Sequence, residues 1–221
     1  MDIHAIVFDF DGVLADSEML HLRVYNELLA PAGVTLSTEE YCERYLGFDD
    51  EGAFQQIARD RNLLLGDEEI EMLIVEKARR FEALVAASNV LYPGAAACVG
   101  RLGAEWPLGI ASGARRGEIE LMLRGAGLLD AFRFIVAAGE TDNGKPAPGP
   151  YLRAAELHGV PPGSCVAIED SHAGLESART AGMRTVALST TYPRDTLVAD
   201  AVIGSLDEFT VEFIRRLADT P

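Results

Sequence analysis

Ile3-His4-Ala5-Ile6-Val7-Phe8-Asp9-Phe10-Asp11-Gly12 decides the reading of this chain. Ile3 to Phe8 is a largely apolar, β-branched and aromatic run of the length expected for a strand buried on both faces. It runs into two aspartates flanking one residue, and then a glycine. Charge brought to the rim of a core is costly unless it is paired or bound to a cation. Gly12 suits a sharp exit, because glycine takes positive φ without a Cβ penalty. Asp-Gly is also ordinary turn chemistry. The dipeptide alone leaves both readings open, and the rest of the chain separates them.

Downstream of Asp16 the apolar period changes from strand to helix. Met19, Leu20, Leu22, Val24, Tyr25, Leu28 and Leu29 recur at helical spacing until Pro31 and Gly33. A second helix is expected after Ser37-Thr38, an N-cap signal before two glutamates, and a third over about 51–61. A fourth is expected over about 67–87, acidic at its start and closing on the basic Lys77, Arg79 and Arg80. Pro93-Gly94 opens a different regime in which strands and helices alternate. Strands are expected at 107–111, 132–138, 164–168, 184–188 and 201–203. Helices are expected at 95–102, 117–125, 150–158, 171–181 and about 207–217. That alternation predicts an α/β fold, a doubly wound, Rossmann-like parallel sheet with right-handed crossovers. The core domain would take residues 1–16 and 89–221, with an inserted helical domain at 17–88.

The 221 residues carry a net charge of −16 and no run of lysines or arginines. A surface that tracks nucleic acid or an anionic membrane is therefore not expected. A phosphorylated substrate would be repelled unless the site supplied a local cation. Cys42, Cys98 and Cys165 show no C-x-x-C spacing, so each is expected to be a small buried residue rather than part of a disulfide or zinc site. With neither a signal-peptide pattern nor a membrane-length apolar run, the chain reads as cytoplasmic, a monomer or weak homo-oligomer.

In open α/β sheets ligands bind beyond the carboxyl ends of the strands. Those ends carry Asp9 and Asp11, then Ser112-Gly113, then Lys145 after the third strand, then Glu169 and Asp170. Clustered carboxylates repel unless a hard cation sits among them, and an oxygen-only set suits Mg²⁺. A carboxylate facing a phosphoryl group can act as nucleophile, and a second, protonated one can donate to the leaving oxygen. Lys145 would balance charge on the phosphoryl oxygens, with Ser112 and nearby backbone N–H groups orienting them.

Asp9-Phe10-Asp11-Gly12-Val13, Ser112, Gly144-Lys145-Pro146 and Glu169-Asp170-Ser171 resemble the four ordered motifs of the haloacid dehalogenase-like superfamily. The nearer likeness is to its phosphatase and β-phosphoglucomutase-like branch. It extends over essentially the whole chain, including the small-residue stretch Ala173–Ala178. The resemblance implies Asp9 as nucleophile, Asp11 as general acid/base and backbone ligand to Mg²⁺, and Asp170 with Glu169 completing the metal site. The helical insertion would be a cap over a small phosphorylated metabolite such as phosphoglycolate or a sugar phosphate.

Asp11 favours phosphoryl transfer, since dehalogenase relatives lack this second aspartate. Phosphonate-cleaving relatives need a lysine early in the insertion, and Lys77 lies late. Mutase relatives hold a second phosphate with an arginine in a cap loop; here that loop reads Leu46-Gly47-Phe48-Asp49-Asp50. His21 does match a position the mutases use, which keeps a sugar phosphomutase as the alternative and His21 as a candidate substrate contact. Arg116, beside Arg115, is a candidate anion contact. Phe48 either lines the pocket or packs.

Other readings fit less well. Gly139–Lys145 matches the first seven positions of a P-loop, but Pro146 stands where Ser or Thr is required. Ser112 lacks the flanking glycines of a nucleophile elbow. His172 beside Asp170 hints at a triad but reads as an exposed first-turn residue. A non-catalytic binding protein on the same fold would be signalled by loss of an acidic motif residue, and all are present.

Overall fold

The computed structural model describes residues 2–46, 48, 50–87 and 90–219, and the chain divides into two compact units, Met1–Asp16 with Asn89–Pro221, and Ser17–Ser88. In chain order the first half holds β1 (Ala5–Phe8), α1 (Glu18–Leu29), α2 (Thr38–Arg44), α3 (Asp50–Arg61), α4 (Asp67–Ala87) and α5 (Ala95–Gly103). β2 (Leu108–Ala111), α6 (Arg116–Gly125), β3 (Phe132–Val136), α7 (Gly149–His158) and β4 (Cys165–Glu169) come next. α8 (His172–Thr180), β5 (Arg184–Leu188), β6 (Ala201–Ile203) and α9 (Val211–Asp219) complete it.

The strands form one parallel sheet in the order β3-β2-β1-β4-β5-β6, the doubly wound α/β fold expected. The apolar run explains the place of β1. All four of its residues are buried, and it lies between β2 and β4. Strand order reverses beside it, which makes the carboxyl end of β1 the topological switch point where such sheets bind ligands. Phe8 packs edge-to-face with Phe132 of β3 and with Phe209, which precedes α9, at 6.0 and 6.1 Å. After β1 the chain turns at Gly12, and the outgoing segment pairs antiparallel with the returning one, Tyr92 N–H donating to the Leu14 carbonyl at 2.9 Å.

In the unit Ser17–Ser88, α1 to α4 surround a core that includes Leu22, Tyr25, Tyr41, Phe54 and Ile57. The Ser37 hydroxyl caps α2, accepting from the Glu40 N–H at 3.1 Å, as the N-cap signal predicts. No helix among the described residues is long and apolar enough to cross a membrane.

Three expectations are corrected. Helix α9 begins at Val211, not near Asp207, because Arg101 claims the Leu206 and Phe209 carbonyls that a longer helix would use. Cys42 is exposed, whereas Cys98 and Cys165 are buried. The basic residues of α4 do not close it, since the helix continues to Ala87 and leaves its last turn without them. Lys77 instead turns inward, 2% exposed, with Nζ 2.5 Å from Asp50 Oδ1.

Candidate active site

The end of β1 is where acid and base meet. Asp9 is buried, and its N–H extends the sheet ladder by donating to the Ile168 carbonyl of β4 at 2.9 Å. Lys145, in the loop between β3 and α7, donates from Nζ to Asp9 Oδ1 at 2.7 Å and to Glu169 Oε1 at 2.5 Å. Glu169, the last residue of β4, has no exposed surface. Its Oε1 also accepts from the Tyr151 hydroxyl at 2.9 Å. Its Oε2 accepts from the N–H groups of Asp170 and Ser171 at 3.1 and 3.2 Å, and from the Ser171 hydroxyl at 3.1 Å. A buried carboxylate that well supplied with donors is an anchor. Gly174 on α8 makes room for it, because a Cβ there would overlap the Glu169 carboxylate.

Asp170 lies one residue on, also buried, against Gly12. Gly12 has a φ of 76°, and a Cβ on it would strike the Asp170 carboxylate. Two threonines after β5 close the far side. Thr190 donates to the Gly12 carbonyl at 2.5 Å, and Thr191 donates to Asp170 Oδ2.

Asp9, Glu169 and Asp170 each offer an oxygen, and these oxygens all lie within 4.8 Å of one another. Burial and the charge of Glu169 push the Asp9 carboxyl well above the usual carboxylate range, against the pull of Lys145. Burial, Asp9 and Glu169 do the same to Asp170. Burial works against the Lys145 ammonium, but Asp9 and Glu169 together raise it above the ordinary lysine value, so it stays charged. One cation among three crowded carboxylates leaves the cluster short of positive charge. An oxygen-only donor set in that condition fits a hard divalent ion such as Mg²⁺.

The other candidates are placed as follows. Asp11 is half-buried in the turn after β1, and its charge reaches Asp9. Ser112 is buried just past β2, its hydroxyl accepting from the Ala114 N–H at 3.1 Å, and Gly113 beside it is exposed. Arg116 has other partners: it donates to both Glu140 oxygens at 2.6 and 2.8 Å and to the Ile135 carbonyl at 2.6 Å, which commits it to the end of β3. His21 belongs to the helical unit, stacked on Phe81 with centroids 4.1 Å apart. Its Nδ1 accepts from Lys77 Nζ at 2.9 Å. Burial and the Lys77 charge push its pKa down to about 3, so the ring is neutral. In the loop between α2 and α3 Phe48 is 51% exposed, while Gly47 and Asp49 lie outside the described residues. His172 is exposed, as expected, with its ring 4.6 Å from that of Tyr192.

Tyr151, Thr190 and Thr191 touch this cluster and were not anticipated, whereas Gly174 lies in the small-residue stretch the sequence singles out. Thr190 and Thr191 follow β5, so the rule that collected the other strand ends would have reached them. Tyr151 carries no such signal, since a tyrosine on a core helix usually just packs.

The model of the haloacid dehalogenase-like hydrolases matches residues 6–188 of the chain. Protein CbbY of Rhodobacter capsulatus is 36% identical, over 98% of this chain and 100% of that protein. Hexitol phosphatase B of Escherichia coli is 30% identical, over 95% of this chain and 96% of its own length. Among solved structures, β-phosphoglucomutase from Clostridium difficile superposes with a TM-score of 0.83 at 26% identity, covering 98% of this chain and 97% of that one.

Proposed function

The chain belongs to the haloacid dehalogenase-like hydrolases, an enzyme family in which its relatives include a phosphatase, and from that premise we propose a Mg²⁺-dependent phosphatase. It would hydrolyse a small phosphorylated metabolite in the cytoplasm through an aspartyl-phosphate at Asp9. The observation that carries the reading is Asp9 itself. This carboxylate lies at the switch point of the sheet, 2.7 Å from the Lys145 ammonium and within the cluster completed by Glu169 and Asp170.

In this mechanism the Asp9 carboxylate attacks phosphorus while the bond to the leaving oxygen breaks, and Asp11 gives that oxygen its proton. Asp11, now a base, takes a proton from water, whose oxygen attacks phosphorus and breaks the acyl-phosphate bond. Inorganic phosphate leaves and Asp9 is regenerated. Lys145 opposes the charge on the phosphoryl oxygens, and Ser112 with the Gly113 N–H orients them. Glu169 and Tyr151 hold Lys145 in place. Asp9, the Asp11 carbonyl and Asp170 would hold Mg²⁺, with Glu169 beside them. When bound, that ion supplies the positive charge which lets an anionic phosphate approach this acidic protein.

A phosphatase is preferred over a sugar phosphomutase because the loop Leu46-Gly47-Phe48-Asp49-Asp50 carries acid where mutase relatives carry the arginine that holds a second phosphate. The test is a screen of phosphorylated metabolites with Mg²⁺, one arm including a bisphosphate activator and one using Asp9→Asn. Phosphate release that depends on Asp9 supports the reading. Isomer formed without phosphate release would replace it with a mutase, and inactivity in every arm with a binding protein.

A further inference from the structure

The loop between β5 and β6 reaches into the acidic cluster although nothing in its sequence reads as a motif. Three contacts fix it around Thr191. Before it, Ser189 N–H and hydroxyl both donate to the Ile203 carbonyl, at 3.0 and 3.2 Å. Thr190 donates to the Gly12 carbonyl at 2.5 Å, tying the loop to the turn after β1. After it, Tyr192 packs on the buried cluster of Leu175, Ala187 and Leu197 and lies against the His172 ring. Thr191 is itself exposed, so water could satisfy its hydroxyl. It bonds Oδ2 of the buried Asp170 instead. A β-branched side chain has few χ1 choices. Once the backbone is fixed on both sides, the direction of that hydroxyl is fixed as well.

We propose that Thr191 is a positioning residue for the divalent cation: its hydroxyl locks the orientation of the Asp170 carboxylate, and the β5–β6 loop is thereby one wall of the metal site. The inference rests on the reading of Asp170 as a metal carboxylate. A ligand held by a second hydrogen bond loses less freedom when it binds an ion, and removing such outer partners weakens metal affinity by about 10- to 100-fold. With the ion bound and Asp170 ionised, the bond would also be of the stronger, charge-assisted kind.

The experiment is calorimetric titration of Mg²⁺ into the intact protein without substrate, for wild type, Thr191→Val, Thr191→Ser and Asp170→Asn. Thermal unfolding without metal checks that each is folded. Thr191→Val keeps the shape and removes the hydroxyl; it should bind Mg²⁺ about 10- to 100-fold more weakly. Thr191→Ser, which keeps the hydroxyl but frees its χ1, should recover part of the lost affinity, and Asp170→Asn should abolish binding. If Thr191→Val binds as tightly as wild type while Asp170→Asn does not bind, the role of Thr191 is refuted and the metal site stands. Equal weakening by valine and serine would refute it too, since the hydroxyl would not be the agent. If Asp170→Asn binds like wild type, the metal reading itself falls, and the inference with it.

Discussion

Lys145 Nζ lies 2.7 Å from Asp9 Oδ1, a contact that joins residues 136 apart in sequence and holds both charges largely out of solvent, with side chains 12% and 10% exposed, at the end of a central strand. A pair of this kind contributes little net stability, but breaking it is costly because the partner is left buried and uncompensated. Lys145→Ala is therefore expected to lose about 3–5 kcal/mol of stability. Turnover should fall by about 10²–10³-fold if the ammonium acts as a removed oxyanion donor does. Thermal unfolding and steady-state kinetics on the same preparation check both.

The seat of Glu169 admits no side chain at Gly174, so Gly174→Ala must push the carboxylate aside. Lys145 would move with it. A displacement of about 1 Å in a positioned catalytic group can cost about 10²-fold. Loss of that order in kcat, with the far-ultraviolet circular dichroism unchanged, is the expected result.

The crowded carboxylates set a pH dependence. Asp9 is raised from its ordinary 3.8 to about 7, and Asp170 is raised as well. The folded chain thus holds these protons more tightly than the unfolded chain. Their contribution is fully present below about pH 4 and is lost as pH rises towards 7–8. Without metal, the unfolding temperature should fall between pH 5 and pH 8. Mg²⁺ should raise it more at pH 8 than at pH 5, where protons compete for the same oxygens. Asp170→Asn should flatten the trend.

His158 works in the opposite sense. It is buried at the end of α7 with neither ring nitrogen bonded to a side chain, and the Phe134 ring is 4.5 Å away. Burial, with Arg133 nearby, lowers its pKa to about 4. Its contribution to stability is present above the ordinary 6.5 and is lost as pH falls towards 4. His158→Gln should make unfolding less sensitive to pH between 6.5 and 4, followed by urea denaturation across that range.

How much of this was legible follows from where each residue stands. A parallel sheet delivers every strand's carboxyl end to one edge, so apolar runs ending in Asp9, Ser112 and Glu169 put these residues along that edge from the order of the runs alone. Thr190 and Thr191 stand just past β5, where the strand-end rule reaches their place, but Ser-Thr-Thr-Tyr-Pro reads as an ordinary polar turn and the folded loop alone gives the bonds their hydroxyls make. Lys77 was placed with the closing bases of α4 because helix-dipole logic sees one helix at a time. Its real partners, Asp50 and His21, come from two other helices. The start of α9 failed for the same reason, since Arg101 on α5 competes for its carbonyls.

Asp11 is half-buried two residues after Asp9 and, in the proposed mechanism, would serve both half-reactions. With an aryl phosphate, whose leaving group needs little help from an acid, Asp11→Asn should still form the covalent enzyme but hydrolyse it about 10²- to 10⁴-fold more slowly. Acid-quenched Asp11→Asn enzyme, incubated with Mg²⁺ and the aryl phosphate and mapped by peptide mass, tests the central claim most directly. The account predicts a phosphoryl group on the peptide that carries Asp9, absent from the Asp9→Asn, Asp11→Asn double variant. A phosphoryl group on another residue, or none while the wild type turns over, would contradict it.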